Sequence, residues 1–368
     1  MQRDELVDLI HDGENVVGAD LAGEDLSFAD LSGAMLEKVR FSGARLKGAS
    51  LKESILTGCD FDGADLSEAD LTRTVFTGCS FAGAKLREAN LLKAKILGSN
   101  LARADLTGGR LTLAVLEGVD LTAARLDETN LDRTAILEAR TTELSLSGAH
   151  LRLTTLIEAD LRTAALAGAR FERAILKGSR LAGRSLAGLD LSGTLFMDGD
   201  LAGCDLSQAT LVGCNFSNAD LRGASLEGAV ADRASFMGAT LVGAMLRGAR
   251  LRGALLAEAD LSGADGSGAN LSECVIVRAT CVGTRLSDAD LSYADLSHAD
   301  VSRADLTGAT LFRARLHRPK DEDTAWGDRS TARGEDTALT EAERWQPPVR
   351  ETSMPPAQPA PNDEGVAT

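Results

Sequence analysis

From Leu21 to Leu316 the chain places Leu or a close substitute at every fifth residue without a phase slip, sixty sites in all. Only Thr141, Ala231, Gly266 and Cys281 depart from Leu, Phe, Ile or Val. The residue two before each centre is Ala, Ser, Thr, Cys or Gly at 54 sites, the exceptions being Glu24, Val39, Val119, Leu144, Arg184 and Leu189. A period of five fits neither the 3.6-residue helix nor the two-residue strand. Such a chain has to turn a corner every five residues. Of the 37 glycines, 29 fall two residues after a centre, where that corner would lie.

A second spacing supports closed coils. Phe41, Phe61 and Phe81 are twenty residues apart, as are Phe196, Phe216 and Phe236, and Cys59 and Cys79 share the interval. Eight of the ten Phe occupy central sites, where four repeats per coil would stack them in columns. The run Ala289 to Gly308 reads ADLSY, ADLSH, ADVSR, ADLTG. This A(D/N)LXX signature resembles the pentapeptide-repeat proteins. The resemblance implies an all-β fold, a right-handed quadrilateral β-helix. In it the central residue and the small residue two before it point inward, and the other three face solvent. Sixty sites then give about 15 four-sided coils, roughly 70 Å long at ~4.8 Å per coil.

The ends depart from the repeat. In residues 1–18, Leu6, Val7, Leu9 and Ile10 form the pattern of a short amphipathic helix, expected to cap the first coil and its strand edges. Residues 19–318 form the β-helix. All seven Pro and both Trp lie in 319–368, read as a mostly disordered acidic tail. Within it, 336–346 reads as a short helix with Ala338, Leu339, Ala342 and Trp345 on one face. There Thr340 and Glu343 would imitate a capping box, and Pro347 would end the helix.

Several function classes have little support. The net charge of −16 leaves no basic excess for gripping nucleic acid, and no apolar run is long enough to span a membrane. Acids at Asp4, Glu5 and Asp8 do not suit a signal peptide, and six Cys are too few for a disulfide scaffold, so a reduced, cytoplasmic setting is expected. His11, His150, His298 and His317 fall at no ligand spacing. Five Cys sit at the small inward position and Cys281 at a centre, which reads as packing. No P-loop, HExxH, GxSxG or CxxC occurs, and a convex prism offers no pocket. No catalytic residue, metal or cofactor is expected.

Asp or Asn precedes the centre at 24 sites. These side chains can hydrogen-bond nearby main chain at corners. Alternatively, the family resemblance implies mimicry, because some members imitate duplex DNA and bind or protect DNA gyrase. The outward residues sum to −3, −5, +3 and −1 on the faces beginning at Leu21, Leu26, Leu31 and Leu36, the third being basic through Arg110, Arg133, Arg152, Arg170, Arg173, Arg250 and Arg252. DNA carries one negative charge per ~1.7 Å, so the rod falls about sevenfold short.

The fourth face carries the stronger signal. Just before its centres stand Met35, Ile55, Val75, Val115, Ile175, Leu195, Leu255 and Val275, where water-facing residues are expected. Leu97, Leu137, Ile157, Met197, Met237 and Val277 follow its centres. Such a strip exceeds the apolar patch a monomer usually exposes. It has three readings: a partly wet strand face, a dock for the tail helix through Trp345, or a contact for a protein partner or a second copy. The expected function is a non-enzymatic interaction scaffold. The alternatives are a gyrase-binding DNA mimic and, by resemblance alone, a secretion-system adaptor or effector. Four repeat breaks are expected to distort the rod: Arg184 with Leu189, Thr141 with Leu144, and the nearly empty central slots at Gly266 and Ala231.

Overall fold

The computed structural model describes residues 1–345, which divide into a unit spanning Met1–Gly334 and a second beginning at Glu335. The first unit is a right-handed quadrilateral β-helix of about 16 turns. Each coil rests on the next through repeated rungs. The Leu21 N–H donates to Arg40 O at 2.8 Å, the Gly23 N–H to Ser42 O at 3.0 Å, and the Arg40 N–H to Ala19 O at 2.9 Å. Corners are set by the backbone: every fifth residue from Gly13 to Asp323 has a positive φ, Thr163 alone excepted among the described residues. Glycine adopts this conformation freely, whereas other residues pass through it at a cost of roughly 1–2 kcal/mol. That Leu113, Leu153 and Tyr293 also adopt it shows that the ladder imposes the corner.

On the fourth face the first eight turns are extended enough to form strands: β1 (Asn15–Val17), β2 (Met35–Glu37), β3 (Ile55–Thr57), β4 (Val75–Thr77), β5 (Lys95–Leu97), β6 (Val115–Glu117), β7 (Ala135–Leu137) and β8 (Thr155–Leu156). They make one parallel sheet in sequence order. Val, Ile and Thr beside these centres suit a flat ladder. Elsewhere single bridges alternate with turns, apart from β9 (Asp305–Leu306) paired with β10 (Ala325–Trp326).

The core is a stack of layers. Phe61 lies parallel to Phe41 and Phe81 at centroid distances of 4.7 and 4.9 Å, and Phe196, Phe216 and Phe236 stack at 5.0 Å. Apart from Ser99, which donates to Leu97 O, the inward Ser, Thr and Cys two before a centre donate to a fixed partner, the carbonyl of the centre 23 residues earlier. Thr74 Oγ1 donates to Leu51 O at 2.7 Å and Cys214 Sγ to Leu191 O at 2.9 Å. At Gly266 the missing side chain leaves an apolar void of about 10 Å³ beside Phe236, Leu261 and Leu286. A Cβ there would stand 3.0 Å from the Leu286 Cδ2 methyl, which has the void to move into. Gly266→Ala is therefore expected to stabilise the protein by about 0.5–1 kcal/mol and raise its thermal midpoint. A lowered midpoint would mean Leu286 cannot yield.

The N-terminal end follows the sequence reading, and the C-terminal end corrects it. The N-terminal helix, α1 (Arg3–His11), buries Leu6 and Ile10. The ladder runs past Arg318: Lys320 bridges Asp300 and Arg333 bridges Arg315, so residues 319–334 are structured and the coil count exceeds the expected fifteen. Trp326 belongs to this last turn, with its Nε1–H donating to Asp321 at 3.1 Å. In the second unit, α2 (Thr337–Arg344) is capped by Asp336, whose side chain accepts from the Leu339 N–H at 3.1 Å. The Thr340 hydroxyl instead bonds Glu335 Oε1 and Asp336 O, so the expected Thr340–Glu343 box is replaced. The remainder of the expected tail, 346–368, lies outside the described residues.

One stretch of ladder is broken. Thr163 is the only Val, Ile or Thr at a corner position between Gly23 and Arg318. Such β-branched side chains resist positive φ. Just beyond it, Arg184 and Leu189 fill inward slots that hold small residues in the coils directly before and after, Ala164 and Cys204, Ala169 and Ala209. The bridges that would join Ala165 to Ser185 and Arg170 to Asp190 are missing among the described residues. One coil earlier, Thr141 Oγ1 donates to Asp160 O in place of a backbone rung, and the Glu143 N–H donates to Thr163 Oγ1.

Candidate interaction surface

The strip residues form a single column. Through β2 to β8 the ladder registers Met35, Ile55, Val75, Lys95, Val115, Ala135 and Thr155 in turn. Single bridges carry it on through Ile175, Leu195, Asn215, Ser235, Leu255 and Val275 to Asp295 and Arg315. Stacking covers much of each side chain. Val75, Val115, Ile175, Leu195 and Val275 are half-buried by the neighbours above and below, as are Leu97, Leu137, Ile157, Met197 and Val277. Exposure concentrates at two places: Met35 (45%) with Ile55 (53%), and Met237 (46%) with Leu255 (38%). Val17, 57% exposed on β1, extends the first of these. Trp345 caps α2 in the second unit and is exposed.

The coil also brings together side chains that linear spacing kept apart. A residue two after one centre lies beside the residue one after the next coil's centre, an offset of 19. His298 and His317 meet in this way with rings 5.1 Å apart, edge to face. The four histidines fall at no ligand spacing along the chain, yet the coil brings this pair into contact. Tyr293 and Phe312 make the same contact at 5.5 Å on the third face, with Arg313 over both rings. The 19-residue offset was the signal available in the sequence.

The acidic residues serve the backbone. In all 24 cases the Asp or Asn before a centre accepts, through Oδ1, the N–H of the residue two further on. That five Asn do the same shows the bond needs an oxygen and no charge. Many of the carboxylates also meet a cation one coil away. Arg40 reaches Asp20 at 3.0 Å, Arg45 reaches Asp25 at 3.1 Å and Arg180 reaches Asp160 at 3.0 Å. Exposed pairs of this kind add little stability, but like charges stacked one coil apart would repel, so alternation favours this register. On the basic third face, Arg152 pairs with Asp132, Arg250 with Asp232 and Arg252 with Glu273.

These bonds set an acid limit. The Ser27 hydroxyl and amide, with Arg45, hold the Asp25 carboxyl at about 2, and Arg162 holds Asp160 at about 2 against the opposing effect of burial. Hydrogen bonds from Ser32 and Ser207 likewise lower Asp30 and Asp205. A carboxyl depressed in the fold adds stability that is complete above its unfolded value of 3.8 and is lost as pH falls through the folded value. The thermal midpoint should therefore hold steady from neutrality to about pH 5 and drop between about pH 4 and 2. Circular dichroism melts across that range check it, and an unchanged midpoint at pH 2 would contradict it.

A solenoid with inward layers of Leu and Phe, corners every five residues and Asx-bonded carboxylates defines a class of repeat protein. A family model for pentapeptide repeats matches eight times, at residues 17–53, 54–91, 99–134, 142–173, 174–213, 214–253, 250–292 and 289–318. The chain belongs to the pentapeptide-repeat family. A search of curated proteins found no match. Among solved structures, the chain is similar to full-length QnrB1, a plasmid-mediated fluoroquinolone resistance protein, at 22% identity over 49% of this chain and 90% of that one, with a TM-score of 0.42. HetL, involved in heterocyst differentiation regulation in the cyanobacterium Nostoc, is similar at 29% identity over 73% and 96% of the two chains, with a TM-score of 0.32. A thylakoid-lumen pentapeptide-repeat protein of Arabidopsis thaliana shares 32% identity over 28% of this chain and 66% of its own, with a TM-score of 0.20.

Proposed function

We propose that this protein is a non-enzymatic scaffold whose fourth face binds another protein chain, either a distinct partner or a second copy. The observation that carries the reading is the registered apolar column, exposed at Met35 with Ile55 and again at Met237 with Leu255. Flat parallel ladders with apolar anchors suit side-by-side docking, where a few desolvated residues supply most of the affinity. A reducing, cytoplasmic setting agrees with six unpaired buried thiols. No helix among the described residues is long and apolar enough to cross a membrane.

Imitation of DNA toward a topoisomerase is the weaker reading, because the carboxylates before the centres are bound to backbone amides and the third face is basic. Nothing in the fold bears on a secretion-system role. Photo-crosslinkers placed singly at Ile55 and Leu255, and for comparison at Val212 and Tyr293 on the third face, test the scaffold reading in native cells. Protein adducts should form from the first pair and be absent from the second. Equal labelling from both faces would overturn the assignment.

A further inference from the structure

We infer that the rod has a built-in hinge between coils 161–180 and 181–200, opening on the second and third faces and held shut along the fourth. It is a place where the scaffold bends.

The hinge shows in the ladder. In regular coils each centre donates its N–H to the coil above, as Leu146 does to Ala165 O at 2.8 Å and Leu151 does to Arg170 O at 2.7 Å. One coil on, the equivalent rungs from Leu166 to Ser185, Gly168 to Ala187 and Phe171 to Asp190 are missing among the described residues, as are the return rungs from Ser185 to Ala164 and Asp190 to Ala169. A cleft opens there, lined by Leu166, Gly168, Arg184, Ser185 and Leu189. The Arg184 guanidinium bridges it, donating to Ala164 O at 2.7 Å and to Arg162 O at 3.4 Å, while its Nε–H is buried without a partner among the described residues. On the fourth face the same two coils stay joined: the Leu176 N–H donates to Leu195 O at 2.7 Å and the Leu195 N–H to Ala174 O at 2.9 Å.

The cause lies in three residues. Thr163 does not take the positive φ its corner requires, and Arg184 and Leu189 are too large for slots that hold small residues in the neighbouring coils. Side chains of that size in adjacent slots hold two coils apart on two sides of the square. Rungs also hold on the first face, where the Leu161 N–H donates to Arg180 O at 2.8 Å, and a single one is left on the third, from the Arg173 N–H to Ser192 O at 3.2 Å, so the fourth face, with the first beside it, acts as a spine. In a solenoid stabilised between nearest neighbours, a coil interface short of rungs is the weakest point. Bending there would change the angle between the Met35–Ile55 and Met237–Leu255 ends of the fourth face.

Distances between paired spin labels on the full-length protein test this, with the labelled chain diluted by unlabelled protein. The native thiols are buried, and burial pushes Cys204 up to about 11 and Cys214 and Cys274 to about 12, so introduced surface cysteines label first. Labels at Arg110 and Arg250 span the cleft on the third face, labels at Asp30 and Arg170 span as many coils without crossing it, and labels at Lys95 and Ser235 cross along the spine. Seven coils separate each pair, roughly 34 Å. The Arg110–Arg250 distribution should be broader than both others, and should narrow to match them in a Thr163→Gly, Arg184→Ala, Leu189→Ala variant. Those substitutions restore residue types the other coils use at the same positions, so they do not endanger folding. Equal widths for all three pairs, or a broad distribution the triple variant leaves unchanged, would overturn the hinge.

Discussion

Phe61→Ala is expected to destabilise the protein by about 3–5 kcal/mol, the cost of removing a fully buried aromatic from a core that cannot collapse around the gap. Phe61 is 0% exposed, lies between the rings of Phe41 and Phe81, and meets Phe76 edge-on with centroids 6.2 Å apart. In a globular core, side chains converging from several directions partly refill such a gap. Here the coils above and below are held apart by ladder hydrogen bonds at fixed spacing, so the void persists. Phe28→Ala serves as the contrast. Its ring is 71% exposed and covers only the Gly48 corner, so the change should stay within about 0.5 kcal/mol. Urea unfolding followed by circular dichroism reads both. Similar midpoints for the two variants would contradict the layered core.

Substituting Asp at Ile55, Val115 and Leu255 together should weaken association through the fourth face about a hundredfold or more, given that each buried apolar anchor carries roughly 1–2 kcal/mol and a carboxylate placed there is desolvated without a partner. The three positions are at least three coils apart, so the new charges do not stack on one another. The fold should tolerate them, because the column faces outward and Asp occupies the same repeat position at Asp295 of this face. Asp at Val212 and Met245, exposed on other faces, should leave association unchanged. Light scattering and binding isotherms measure it, with circular dichroism confirming the coil.

The repeat made the fold legible because each of its positions answers to one physical demand: Leu for the layer, Ala for the space beside it, Gly for the positive-φ corner, Asp for the turn amide. Departures were legible as places, less so as consequences. Arg184 and Leu189 were expected to disturb their coil. That the damage opens two sides and spares the fourth follows from ladder bonds whose loss depends on the neighbouring coil as well as on the residue itself. Thr163 carries no warning in the sequence, since Thr is ordinary there and costly only where φ must be positive. The coils beyond Arg318 were missed because Pro319 and the altered composition break the pentapeptide pattern while the backbone goes on pairing. On the fourth face, the sequence identifies the column, but vertical stacking decides how much of each side chain reaches water. Val75 and Ile55 occupy the same repeat position and differ in exposure for that reason.

Three methionines are placed to test the central claim. Met35 and Met237 lie on the fourth face, Met245 on the second, with exposures of 45%, 46% and 39%. Oxidation of each to the sulfoxide, followed by mass spectrometry, should proceed at similar rates in the free protein. In the associated form Met35 and Met237 should slow markedly while Met245 keeps its free rate. Protection of Met245, or three unchanged rates in a demonstrably associated sample, would contradict the fourth face as the contact.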